Sequence, residues 1–182
     1  LISWKELETL INIRPLMTTT RVKPVNDDTS YTWSSNSWML DVNTFPPSVI
    51  EKMIKKHTCY LADCSRFNKN INDFCKELEE KYNRPVDAHI FFAKVIDKGF
   101  GVHCDYSHNT IVQCEGKTNF KVWDILKDPS TGPFEVPDID PVIDVVMEKG
   151  DTLFVPARML HHGQSVTERV SISFPFKEFI TD

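Results

Sequence analysis

Apolar residues recur along this chain with two different periods, and the change from one to the other divides it near residue 85. Before that point the spacing is helical. Ser3-Trp4-Lys5-Glu6 has the form of a capping box, with Leu7, Leu10 and Ile11 following on one face and Arg14-Pro15 closing the run. Pro46-Pro47 opens a second helix through Lys56, its apolar side formed by Val49, Ile50, Met53 and Ile54. With Asn70 as its cap, a third carries Ile71, Phe74, Cys75, Leu78 and Tyr82 inward and Asp73, Glu77, Glu79 and Glu80 toward water. Residues 17–44, rich in Thr, Asn, Ser and Asp around Trp33 and Trp38, are expected to be irregular with short strands, and 59–62 to be a short buried strand.

From Val86 onward the period shortens to that of strands, expected at 88–95, 110–114, 118–125, 142–147, 151–155 and 168–175. A Pro- and acid-rich connection over 127–140 is a solvated loop and a candidate lid. Helices first and strands afterwards predict a mainly β protein, an antiparallel barrel or sandwich with helices packed outside it.

A length of 182 residues suits one core, so a single domain is expected, with 1–85 flanking a core at 86–176. No apolar run approaches the roughly 20 residues that span a bilayer, so no membrane segment is expected. The chain opens on Leu without a basic-then-apolar leader, and reads as a trimmed piece of an intracellular, cytoplasmic protein. Its five cysteines lack metal-type spacing and read as free thiols in a reducing compartment. A formal charge of −5 leaves no basic footprint for nucleic acid and mildly favours a basic peptide or a small molecule as partner.

Chemistry concentrates in two places. Within GFGVHCDYSHNTIVQCEGKTNFKVW (99–123), His103-x-Asp105 precedes a strand pattern; in GDTLFVPARMLHHG (150–163), an apolar run and a Pro-containing turn lead to His161 and His162. A His followed two places on by an acid is expected about once by chance in such a composition, so the setting carries the weight. Two imidazoles and one carboxylate converging from two strands would hold a divalent metal on one face and leave the opposite positions open, the arrangement of non-haem Fe(II) oxygenases.

The pattern H-x-D, then (I/V)-Q-x-x-G-x-x-x-(W/F)-x-V, then G-D-x-L-(F/Y)-(V/I)-P-x-x-x-x-H resembles the JmjC and cupin-like oxygenases, in particular the bacterial ribosomal-protein hydroxylases and small cupin-like relatives. The resemblance implies a double-stranded β-helix (jelly-roll) core and metal ligands at His103, Asp105 and His161, the last chosen over His162 because it lies five residues after Pro156. The family usually binds the distal carboxylate of 2-oxoglutarate with a Lys or Arg two residues after the strand glycine. Here that position is Thr118.

A replacement cation is therefore expected: Arg169 in Arg169-Val170-Ser171, resembling an Arg-x-Ser motif of other 2-oxoglutarate oxygenases, or Lys121 on the opposite face. The bland alternative has Arg169 paired at the surface with Glu168 or Asp144. Asn109 and Thr118 are further candidates for contact with the cosubstrate, His108 for the substrate pocket, while His57 and His89 read as structural. The resemblance implies Fe(II), 2-oxoglutarate and O2 as cofactor and cosubstrates, and hydroxylation or demethylation of a protein side chain or small molecule with succinate and CO2 as coproducts. A metal-binding cupin without 2-oxoglutarate and a non-catalytic binding module are the alternatives, and neither substrate nor oligomeric state follows from the sequence.

Overall fold

The computed structural model describes residues 1–12, 22–24, 51–52, 54–61, 64–66, 68–96, 99–132 and 134–176. Along these run α1 (Trp4–Asn12), β1 (Val22–Pro24), β2 (Cys59–Leu61), α2 (Lys69–Tyr82), β3 (His89–Ala93), β4 (His108–Glu115), β5 (Thr118–Leu126), β6 (Ile143–Met147), β7 (Thr152–Val155), β8 (Met159–Ser165) and β9 (Arg169–Phe176). The start of the expected second helix and, apart from β1, the segment 17–44 lie outside the described residues.

The capping box forms as read. Glu6 N–H donates to Ser3 Oγ at 3.3 Å, and Glu6 Oε2 accepts from Ser3 N–H at 2.8 Å. The cap of α2 is Asn68 rather than Asn70: its side chain accepts from Ile71 N–H at 3.1 Å, and Asn70 falls inside the first turn. Asn83, in the left-handed region at φ 51°, ends that helix. Leu7 and Ile11 of α1 and Ile71, Cys75 and Leu78 of α2 join Val112, Cys114, Val170, Ile172 and Phe174 in one apolar cluster, so both helices cover the outer face of a sheet. Burial pushes the Cys75 thiol up to about 12, as befits a packing residue.

Six strands form one sheet in the order β1-β2-β3-β9-β4-β7, and three form a second in the order β6-β5-β8. Every pair is antiparallel. The segment at Val102 and His103 adds single bridges to Phe134 and His161, extending the smaller sheet beyond β8. The chain winds between the sheets, and this is the double-stranded β-helix that the motif implied. Ile111, Phe120, Val122, Met147 and Val155 fill the space between them.

One strand was absent from the expected set. β8 does not alternate cleanly, since two histidines and Gly163 interrupt the apolar pattern, yet it pairs with β5 from Thr118↔Ser165 to Val122↔His161.

The two turns that carry the chain between the sheets at the closed end, β4 to β5 and β8 to β9, lock together. Lys117 N–H donates to Thr167 Oγ1 at 2.9 Å, and Val166 N–H donates to Lys117 O at 3.0 Å. Gly116 permits this approach: its φ is +68°, and a Cβ there would lie 1.7 Å from Glu168 O. Gly116→Ala is therefore expected to destabilise the protein by more than about 3 kcal/mol, read as a lowered midpoint in urea unfolding. A change within about 0.5 kcal/mol would show that the clasp is dispensable.

Candidate functional site

His103 and His161 are paired in the backbone itself. His103 N–H donates to His161 O at 3.0 Å, and His161 N–H donates to His103 O at 2.8 Å. Directly opposed residues project their side chains to one side, so both imidazoles enter the space between the sheets with ring centroids 4.2 Å apart. In each ring Nδ1 faces a backbone carbonyl, Gly101 O at 3.0 Å and Met159 O at 2.9 Å. A carbonyl only accepts, which assigns the hydrogen to Nδ1 and turns the Nε2 lone pair toward the interior. Burial, seconded by the nearby His103, lowers the pKa of His161 to about 4 against the opposing pull of Asp105. This imidazole is neutral at neutral pH, the form that coordinates metal.

Asp105 lies two residues past His103 and on the same side. Its Oδ2 is 3.6 Å from His161 Nε2, and the ligand atoms of the three residues lie within 4.8 Å of one another. Asn109 Nδ2 donates to that Oδ2 at 2.8 Å, and Ser173 Oγ donates to Asn109 Oδ1 at 2.8 Å, so the carboxylate is oriented from β9. From the other flank Arg158, in the left-handed region at φ 64°, donates its backbone N–H to Asp105 O at 2.7 Å. Cys104, between the two ligand positions, turns away into a cluster with Val102, Trp123 and Leu160.

Arg169 lies deep in the barrel, 4% exposed, which overturns the surface pairing considered above. Its Nε donates to Ser165 Oγ at 2.9 Å, and Nη1 to Ser171 Oγ at 3.0 Å and Thr118 Oγ1 at 3.5 Å. Thr118 thus meets the cation that β9 supplies. Lys121 is corrected as a cosubstrate candidate: alternation along β5 turns it outward, and its ammonium sits 3.4 Å from Asp144 at the surface.

One cavity connects these parts, with His103, Asp105 and His161 toward its mouth, Arg169 and Ser171 at depth, and Ile111 and Phe120 as walls. Gly163 makes room for the Phe120 ring, since a Cβ there would fall 2.7 Å from it. Neither residue was singled out in the sequence, although Phe120 shares the inward parity of Thr118 and Val122. Outside the mouth lies a groove of about 600 Å³, bordered by Tyr60, Phe100 and His89 on one side and Tyr106 and Phe134 on the other. The 127–140 loop is fastened there: Tyr106 Oη donates to Asp128 Oδ1 at 2.8 Å, and Trp123 Nε1–H to Ile139 O at 3.0 Å. His89 therefore borders the groove. His108 does not: it stacks on Phe154 and Phe176 and accepts the Ala157 N–H at 3.1 Å.

A JmjC domain matches residues 61–180. The chain belongs to the JmjC family. It is 26% identical over 137 residues to the bifunctional lysine-specific demethylase and histidyl-hydroxylase NO66 of Drosophila persimilis, covering 73% of this chain and 20% of that protein. It is 26% identical over 120 residues to ribosomal oxygenase 1 of Danio rerio, covering 62% and 22%. The structure of YcfD, a ribosomal oxygenase from Escherichia coli, in complex with cobalt and 2-oxoglutarate, superposes with a TM-score of 0.66 at 20% identity, covering 99% of this chain and 45% of that one. The chain thus spans about a fifth of the length of these curated relatives and under half of the solved one. No helix among the described residues is long and apolar enough to cross a membrane.

Asn109→Ala cuts the link between Ser173 and Asp105 and is expected to weaken Mn(II) binding by about 10- to 100-fold in calorimetric titration. Unchanged affinity would show that Asp105 holds its orientation unaided.

Proposed function

We propose that this chain is an Fe(II)- and 2-oxoglutarate-dependent oxygenase that hydroxylates or N-demethylates a protein side chain, with succinate and CO2 as coproducts. The observation that carries the reading is that His103, Asp105 and His161 share one cavity with a buried guanidinium ringed by hydroxyls. The donor set fits the metal: two imidazoles with Nε2 presented inward and one carboxylate, all on one side. Arg169 fits the distal carboxylate of 2-oxoglutarate, because a buried guanidinium offers it a fork of donors.

In this reading iron, once bound, supplies the oxidation together with 2-oxoglutarate and dioxygen. His103, Asp105 and His161 hold the metal. Asn109 and Ser173 keep the Asp105 carboxylate aimed at it. Arg169, Ser171 and Thr118 anchor the far end of the keto acid, and Ile111 and Phe120 exclude water along its length. The groove beyond the mouth, with Tyr60, Phe100, Tyr106 and Phe134 along it, has room for a polypeptide segment that presents one side chain inward. The names of the relatives, a lysine-specific demethylase and histidyl-hydroxylase and a ribosomal oxygenase, favour this class over a small molecule.

Anaerobic titration of the Fe(II)-loaded protein with 2-oxoglutarate is expected to give a visible metal-to-ligand charge-transfer band. His161→Ala is expected to abolish it. Arg169→Ala is expected to raise the 2-oxoglutarate concentration needed by about 100-fold or more, as for loss of one partner of a buried ion pair. Tight metal binding without any band would remove this reading in favour of a metal-binding cupin that uses no keto acid.

A further inference from the structure

At the closed end of the barrel the site leaves one polar atom unexplained. Gln113 on β4 is 1% exposed; its Nε2 donates to Glu115 O at 2.8 Å, while Oε1 has no hydrogen-bond partner. A buried acceptor without a donor costs about 1–3 kcal/mol, so this atom calls for a hydroxyl or a bound water.

Register locates the donor. Gln113 pairs with Ser171 on β9, and Ser171 pairs on its other side with Phe91, a residue of the cavity wall. Asn109 and Ile111, four and two residues before Gln113 on the same strand, line that cavity too, so alternation carries Gln113 to the inner face one step deeper. The Ser171 hydroxyl accepts from Arg169 Nη1 at 3.0 Å, and its own hydrogen must be directed elsewhere. The buried acceptor across the strand pair is Gln113 Oε1.

We infer that Gln113 is a positioning residue for the cosubstrate's distal carboxylate: one bound water takes the Ser171 hydroxyl hydrogen and donates to the Gln113 amide oxygen, and so fixes the lone pair that Ser171 turns to Arg169. The guanidinium is then held with Nη2 on the side of Gly99, whose added Cβ would lie 3.9 Å from it, next to the cavity. Gln113 touches neither metal nor keto acid. This inference rests on the oxygenase reading above.

The test compares two keto acids by calorimetry on the Mn(II)-loaded chain: 2-oxoglutarate, and 2-oxopentanoate, which lacks the distal carboxylate. Gln113→Met keeps the volume and removes the acceptor. It is expected to weaken 2-oxoglutarate roughly 3- to 10-fold and leave 2-oxopentanoate unchanged, since one hydrogen bond is lost on that side of the site alone. Ser171→Ala is expected to act likewise, and the double variant to lose less than the two effects multiplied. Gln113→Glu, which sets a fixed carboxylate near Arg169, is expected to weaken 2-oxoglutarate more than Gln113→Met does. Equal loss for both keto acids, no loss, or full additivity with Ser171→Ala would overturn the inference while the oxygenase reading stands. A wild type that binds neither keto acid would remove both.

Discussion

A guanidinium buried between two sheets is the constraint around which the rest of this barrel is arranged. Removing such a charge from water is tolerable only where hydrogen bonds replace the lost hydration. Arg169 belongs to the larger sheet through β9, yet two of its hydroxyl partners, Ser165 and Thr118, belong to β8 and β5 of the smaller one. Both sheets are therefore tied to one cation at the closed end. The inter-sheet turns that meet through Lys117, Val166 and Thr167 lie below it, and the apolar filling of Ile111, Phe120 and Val122 begins above it.

The two ends of the barrel are built differently. Extended pairing and a clasp of turns close the bottom, whereas the top is joined by single bridges at Val102 and His103 and by the loop that Tyr106 and Trp123 fasten. Long ladders resist opening and isolated bridges do not. The convergent histidines and carboxylate thus lie where the backbone is least constrained by its own sheet, while the buried guanidinium lies where it is most constrained.

Much of this was legible in the sequence because it depends on period and spacing. The change from helical to alternating pattern near residue 85 gave the order of elements, and His103-x-Asp105 with His161 marked the residues that converge. What escaped was what depends on partners. β8 hid because a strand whose inward positions are His161, Gly163 and Ser165 has no apolar signature. Asn68 and Asn70 are equivalent on paper, and only the first lies where its oxygen reaches Ile71 N–H. Lys121 and Arg169 both offered a cation, and parity alone separated them, the outward one meeting Asp144 and the inward one three hydroxyls. His108 sat close enough in sequence to invite a role, yet it opens its strand in an aromatic stack with Phe154 and Phe176.

The reciprocal hydrogen bonds between His103 and His161 have a geometric corollary. Two residues that exchange both backbone bonds across an antiparallel pair have a separation set by the sheet, with Cα atoms about 5.5 Å apart in any protein. The separation of the two Cα atoms is accordingly a property of the β-pairing, and side-chain torsions then set the distance between the rings. Sliding either strand by one residue would turn a ligand to the opposite face, and sliding it by two would move it a full repeat away. Such a centre can change its third ligand, its walls or its anchor by single substitutions, while the spacing of its two histidines is inherited whole with the fold.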